Sequence, residues 1–360
     1  MKRRDVIKTI GLGAAALSAS SLASAATNHK VYNWKMVTTW PANFPGLGTG
    51  ATYLANLITE LTNGEVNVKV YGAGELVPAM ETFDAVSQGT AQLGHGAAYY
   101  WKGKTVASQF FAAVPFGLNA QEMNSWLYHG GGMELWEEEY AKYGLVPGAA
   151  GNTGVQMAGW FNKEIKTSAD LKGLKMRIPG LGGDVLKKLG GTPVGLPGGE
   201  IAPALQSGAI DATEWVGPYN DMAFGLHKVA KFYYYPGWHE PGTTLECMIN
   251  KAALEELPKH LQAIVRNAIR VANQDMLAEF TARNNAALET LVNEHNVQLR
   301  RLPDVVLKDI RKASEEVLKE TAANDDMSKR VFESFNKFRA QAIKWHDVSE
   351  RAYLNARADS

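Results

Sequence analysis

The sequence predicts an α/β protein folded as two lobes joined by a hinge, with one long helix as a spine and a further helix at the C-terminus. Three observations carry this expectation. Strand and helix patterns alternate β, α, β from residue 31 onward, as parallel-sheet units do. Gly151-Asn152-Thr153-Gly154 then places two glycines in four residues, the freedom a crossing between lobes needs, and the chain returns near residue 240. From Pro258 an apolar helical pattern runs for about 35 residues, or about 50 Å, which exceeds one small lobe.

With 360 residues, 46% of them hydrophobic, the chain has apolar material for two cores. Lys plus Arg equals Asp plus Glu at 37 each, so no positive excess favours nucleic acid or an anionic membrane. Residues 1–26 read as an export signal: Lys2-Arg3-Arg4, a modest apolar run from Val6 to Leu17, then small residues with Ala23-Ser24-Ala25 as a cleavage pattern. The paired arginines before Asp5-Val6-Ile7-Lys8 fit the twin-arginine type, which exports folded proteins. Loss of the segment removes Lys2, Arg3, Arg4 and Lys8 against Asp5 and leaves a net charge of about −3. The expected location is the periplasm, since no other stretch has the ~18 apolar residues of a membrane span. Cys247 is the one cysteine, which excludes an internal disulfide, and its strand-like setting suits burial.

In chain order, residues 27–152 form the first part of lobe I. Val31 to Val37 reads as a strand, and Pro41 and Pro45 bar helix from the loop that carries Phe44. Thr49 is the expected cap of a helix whose inner face is Leu54, Ala55, Ile58 and Leu61, ended by Asn63-Gly64. Val66, Val68 and Val70 alternate as a half-buried strand. Pro78 opens a helix with Phe83 and Val86, and Thr90 to Ala98 is a strand that delivers Tyr99, Tyr100 and Trp101 into a loop. Side-chain alternation lets at most two of these aromatics share a surface. Gln121 to Tyr143 is helical with a break at Gly130-Gly131-Gly132, and Leu145 to Ala150 leads to the hinge.

Residues 153–239 form lobe II. Val155 to Phe161 reads as a strand in which Gln156 is a polar residue of buried type that needs a partner. From Leu174 to Ile178 the strand alternation separates Lys175 and Arg177 from Leu174, Met176 and Ile178. Pro179-Gly180 follows at once, so Arg177 stands at the strand end, where open α/β sheets bind ligands. Gly180-Leu181-Gly182-Gly183 is not a dinucleotide fingerprint, because the third glycine of G-x-G-x-x-G would fall at Val185. Helices from Asp184 to Leu189 and from Gly199 to Gly208 flank a short strand at Val194 to Leu196. Ile210 to Val216 reads as an apolar strand with Glu214 inside it, where an unpaired charge is costly, and the neighbouring sequence supplies no lysine or arginine. Phe232 to Pro236 and Gly242 to Ile249 read as strands returning to lobe I, with Trp238-His239-Glu240 between them.

Residues 240–257 complete that return, 258–328 hold the spine helix and a last strand at Val297 to Leu302, and 329–360 hold the C-terminal helix. There Val331, Phe332, Phe335, Phe338, Ala342 and Trp345 make a stripe to be covered by this chain or by a second copy. The sequence has no P-loop lysine motif, C-x-x-C, H-E-x-x-H or G-x-S-x-G, and His239-Glu240 is not by itself a zinc pattern. Two α/β lobes with no catalytic motif describe a protein that closes on a ligand.

The runs Ala169-Asp170-Leu171-Lys172-Gly173-Leu174-Lys175-Met176-Arg177 and Pro197-Gly198-Gly199-Glu200-Ile201-Ala202-Pro203-Ala204-Leu205-Gln206-Ser207-Gly208-Ala209-Ile210-Asp211-Ala212-Thr213-Glu214 resemble the solute-binding subunit of tripartite ATP-independent periplasmic (TRAP) transporters. The likeness extends over essentially the whole chain after the signal. Gly74-Glu75-Leu76-Val77-Pro78, Ala97-Ala98-Tyr99-Tyr100-Trp101 and Glu214-Trp215-Val216-Gly217-Pro218-Tyr219 are similar to the branch that binds 2-oxo and 2-hydroxy acids, such as pyruvate and lactate, with a metal cation.

That resemblance implies the two-lobed periplasmic binding protein fold, no enzymatic activity, and delivery of a small-molecule carboxylate to membrane permease subunits. It implies that Arg177 pairs its guanidinium with the ligand carboxylate. It implies that Gln156 and Glu214 hold the cation, assisted by the Trp215 carbonyl and Glu240, while Tyr99, Tyr100, Phe44 and Asn152 supply walls and hinge. A hard cation would then be Glu214's partner; sodium and calcium both fit, and calcium gains if Glu240 coordinates as well. A homodimer made by exchanging the final helix is also implied, with cover by the same chain as the alternative. The competing readings are a dicarboxylate or sugar acid as ligand, and a periplasmic enzyme acting on small carboxylates, which would lack a nucleophile and a triad.

Overall fold

The computed structural model describes residues 30–358, and the expected export segment lies outside the described residues. Strands β1 (Tyr32–Thr38), β2 (Val66–Tyr71), β3 (Leu93–Gly96) and β4 (Leu145–Asn152) belong to one sheet. Strands β5 (Gly159–Phe161), β6 (Lys175–Arg177), β7 (Thr192–Val194), β8 (Ala212–Thr213) and β9 (Phe232–Tyr235) belong to a second. The chain then returns to the first sheet through β10 (Thr244–Asn250) and to the second through β11 (Gln298–Arg301). The orders are β2-β1-β3-β10-β4 and β11-β9-β5-β8-β6-β7. This is a two-lobed α/β fold, with the chain crossing three times between its sheets after β4, β9 and β10.

Local sequence explains the first lobe. β1 and β2 pair in parallel because the helix Leu47–Leu61 connects them, burying Leu54, Ala55 and Ile58 against Val66 and Val68. The helix begins earlier than expected. Gly46, at φ 70°, is its N-cap, and Thr49 sits inside the first turn, accepting the Gly46 N–H at 2.9 Å. The spine helix Lys259–Asn293 spans 35 residues. Its early turns (Leu261, Val265, Ile269, Ala272) join the lobe I core, and Leu291 joins the large core that includes lobe II. Gly151 on β4 leaves room for the Met276 side chain, since a Cβ there would lie 2.3 Å from its Sδ and push it aside. Among the described residues no helix is long and apolar enough to cross a membrane.

Several expected elements are corrected. The strand expected from Val155 is restricted to Gly159–Phe161, so Gln156 lies in the crossing itself. The strand expected over Ile210 to Val216 is only Ala212–Thr213, which leaves Glu214 just past its end. β9 does not return to lobe I; it pairs with β5 and β11 in the second sheet. After β11 comes a helix absent from the expected order, Asp304–Ala322, whose buried Val306, Ile310, Ala313 and Val317 are spaced by charged residues. The C-terminal helix begins at Asp326, runs to Val348 and is followed by a second, Glu350–Ala358. Its stripe divides: Phe335 packs edge-on to Trp126 at 5.1 Å with Val331 and Ala342 also buried, whereas Trp345 is 65% exposed. This chain therefore covers the stripe as far as Ala342 and leaves Trp345 uncovered.

Tyr99, Tyr100 and Trp101 form a short 3₁₀ turn, Ala98–Trp101, beyond a strand that ends at Gly96. Trp101 turns into the core and donates its indole N–H to Glu246 on β10, which also accepts the Tyr140 hydroxyl at 2.8 Å. Tyr99 and Tyr100 are left facing the cleft. Burial pushes the Glu246 carboxyl up from its ordinary 4.5 to about 7. The folded protein thus holds this proton more tightly than the unfolded chain, so the group favours folding fully below pH 4.5 and loses that contribution as pH rises through 7. Glu246→Gln should gain melting temperature relative to wild type as the pH is raised across that window. A difference between the two proteins that does not change with pH would contradict the assignment.

Candidate functional site

Between the lobes lies a cavity of about 320 Å³, walled by Tyr99 and Tyr100 from lobe I and by Arg177, Ile178, Val194 and Leu196 from lobe II. Arg177 ends β6 and is fully buried. Its Nε donates to the Leu196 carbonyl at 3.2 Å, and its Nη2 donates across the cleft to the Tyr100 hydroxyl at 3.4 Å. Its Nη1 contacts the Glu214 carboxylate directly, and its Cζ lies 5.1 Å from the centre of the Trp215 ring. Burial works most strongly against the Arg177 charge, but Glu214, Tyr100 and Tyr99 together outweigh it and hold the guanidinium above its ordinary range.

The partner of Glu214 within the chain is therefore Arg177, which local sequence could not reveal. β6 and β8 are adjacent parallel strands with Arg177 opposite Thr213, so Glu214 emerges one step beyond it. Residues 37 positions apart meet because the sheet brings two strand ends together.

Beside this pair is an oxygen-rich group. Glu240 accepts from Gln156 Nε2 at 2.8 Å, from the Thr243 hydroxyl at 2.5 Å and from the Tyr99 hydroxyl at 3.4 Å. Burial, and then the Glu214 charge, raise its carboxyl above the usual range. Burial raises Tyr99 and Tyr100 as well, so both stay protonated donors at neutral pH. Gln156 Oε1 is buried with no hydrogen-bond partner among the described residues, an orphaned acceptor that a cation would satisfy. His239 Nε2 lies 3.4 Å from Glu214 Oε2. Among the described residues, ligand atoms of Glu214, His239 and Glu240 all fall within 4.8 Å of one another. With Gln156 Oε1 this donor set is mostly oxygen and fits a hard cation. His239 is the residue sequence reasoning left aside; its place next to Glu240 was the available signal.

Of the residues expected for walls and hinge, Phe44 sits off the cavity and Asn152 sits at the crossing. Phe44 does not line the cavity but stacks on Phe224 of lobe II at 4.1 Å and meets the Trp215 ring edge-on at 6.3 Å. Asn152 braces the crossing, donating to the Gly242 carbonyl at 3.2 Å and accepting the Gly154 N–H at 2.9 Å. Trp215 joins Phe44 and Trp40 in an aromatic contact between lobes. The backbone after it is fixed by buried Asp221, which accepts the N–H groups of Val216 and Gly217 at 3.1 Å each, the Trp160 indole at 2.9 Å and the Tyr233 hydroxyl at 2.7 Å.

Residues 36–325 match the family described as bacterial extracellular solute-binding protein, family 7 (DctP). Over the full length of both chains, the sequence is 43% identical to a monocarboxylate 2-oxoacid-binding periplasmic protein of Nostoc sp.. A TRAP periplasmic solute binding protein from Colwellia psychrerythraea, solved with bound calcium and pyruvate, is similar with a TM-score of 0.88 and 44% identity, over 91% of this chain and 100% of that one. Another from Pseudoalteromonas atlantica, solved with sodium and pyruvate, has a TM-score of 0.88 and 43% identity, over 91% and 99%.

Replacing Asp221 by Ala would leave four donors unpaired in the interior. The expected loss is about 3 kcal/mol or more of unfolding free energy, read from urea titration. A loss below about 1 kcal/mol would show that Asp221 does not fix this segment.

Proposed function

We propose, from the premise that this chain belongs to family 7 of the bacterial extracellular solute-binding proteins, that it is the binding subunit of a TRAP transporter and takes a small 2-oxo monocarboxylate such as pyruvate in the periplasm. The observation that carries the reading is the buried Arg177 facing the interlobe cavity beside the oxygen-rich group of Glu214, Gln156 and Glu240. A planar guanidinium offers a carboxylate two parallel hydrogen bonds, which lysine would not match. Tyr100 and Tyr99 keep their hydroxyls toward Arg177 and Glu240 and wall the ligand. Glu214, Gln156 Oε1 and Glu240, with the Trp215 carbonyl, would hold the cation. A bound sodium or calcium ion would supply the positive charge that lets a ligand carboxylate lie beside Glu214.

The remaining cavity wall, with Ile178, Pro179, Val194, Leu196 and Pro197, is largely apolar, and Lys102 there is engaged by Asp184 at 2.9 Å. This supports a monocarboxylate over a dicarboxylate or a sugar acid. The lobes meet through Arg177 with Tyr100, Phe44 with Phe224, and Lys102 with Asp184, contacts that opening would break. Ligand affinity for the closed form would therefore favour one shape for the permease subunits to recognise. The family is one of transport proteins, and we assign no catalytic role. Exposed Trp345, Val348, Tyr353 and Leu354 on the last two helices support a second copy as their cover, hence a homodimer.

Calorimetric titration of the exported form with pyruvate should show binding with calcium or sodium and its loss in sodium-free buffer with chelator. Arg177→Lys should weaken binding at least about 100-fold, the scale of a lost buried charge-assisted pair, with the melting temperature little changed. Undiminished affinity in that variant would overturn the role of Arg177, and absence of heat with pyruvate in either ion would overturn the ligand class.

A further inference from the structure

We infer that Glu214 is a built-in competitor for Arg177: its carboxylate occupies the guanidinium that an incoming acid needs, and an acid binds well only when Glu214 has another positive partner. The inference rests on the proposed role of Arg177 as the ligand's anchor and adds a rule for its use. All three guanidinium nitrogens have partners inside the protein. Nε faces the Leu196 carbonyl, Nη2 faces Tyr100, and Nη1 faces Glu214. The first two are neutral oxygens that would share the guanidinium with an acid at little electrostatic cost. Glu214 is itself a carboxylate, buried like Arg177, with the same charge and geometry as the proposed ligand. Two carboxylates on one buried guanidinium repel strongly, because little solvent screens them.

The surroundings offer Glu214 one other direction. Its second oxygen, Oε2, faces His239 Nε2 at 3.4 Å, and Glu240 lies in the same cluster. The orphaned Gln156 Oε1 adds a further acceptor. This side is rich in acceptors, so Glu214 gains by turning to it only when a positive charge is held there. Cation and acid are then coupled through one side chain, and the coupling is reciprocal: whatever frees Arg177 for the acid also strengthens the cation.

The test compares wild type and Glu214→Gln in pyruvate titrations, in calcium and in sodium-free buffer with chelator. Wild type should bind pyruvate in calcium and fail in chelator, while Glu214→Gln should bind in chelator at least about tenfold more tightly than wild type does there. Wild type that binds in calcium beside a Glu214→Gln variant no better than wild type in chelator would overturn the inference and leave the proposed function standing. Wild type that binds no pyruvate in calcium, nor in a further titration in sodium, would remove that function and the inference with it. A second measurement does not depend on folding of the Gln variant. Arg177→Met removes the positive charge that holds Glu214, so without acid its calcium affinity should rise about fivefold or more as Glu214 is released. Unchanged or weaker calcium binding would overturn the inference.

Discussion

Two opposite charges, Arg177 and Glu214, are sealed at the ends of adjacent parallel strands, and much of the second lobe is arranged to make that tolerable. Removing two ions from water is expensive, and their mutual attraction offsets it only when the remaining donors and acceptors are satisfied. The Leu196 carbonyl and Tyr100 hydroxyl take the other guanidinium nitrogens, and the Trp215 ring covers one face. Asp221 pins the backbone immediately beyond Trp215, so the strand end that carries Glu214 has little freedom to relax. The backbone beyond the pair is thereby fixed, and side-chain rotation is the freedom left to rearrange the two charges.

The same pair links the lobes. Tyr100 comes from lobe I, and it keeps its orientation because the next residue, Trp101, is anchored to Glu246 behind it. On the other side of the cleft Trp215 meets Trp40 and Phe44, so the segment bearing Glu214 touches lobe I through aromatic contacts, while Arg177 reaches it through Tyr100. Closure and site geometry are therefore built from shared residues. The spine helix, lodged in lobe I by Leu261 to Ala272, also reaches lobe II, where Asn284 accepts the Tyr219 N–H at 3.0 Å.

What could be read from the sequence was mainly what local periodicity encodes. Arg177 at a strand end follows from the alternation of Leu174, Met176 and Ile178, and the spine follows from apolar spacing after Pro258. Pairings between distant segments were not legible. Glu214 has no basic partner in its neighbouring sequence because Arg177 reaches it through the register of β6 and β8. β9 was expected in the wrong sheet because an aromatic run such as Phe232 to Tyr235 specifies a strand without naming its neighbour. Phe44 reads as a wall residue until Phe224 is seen stacked on it, and the helix Asp304–Ala322 hides behind its many charges. His239 was marked only by its place next to Glu240, since its proximity to Glu214 exists only in the folded chain.

A crystal structure of the exported form grown with pyruvate and calcium, with the ion located by its anomalous scattering, tests the central claim most directly. The account predicts calcium among Glu214, Gln156 and Glu240, the pyruvate carboxylate on Arg177, and Glu214 turned from the guanidinium toward the ion. Calcium bound elsewhere, or pyruvate seated away from an intact Arg177–Glu214 pair, would contradict it.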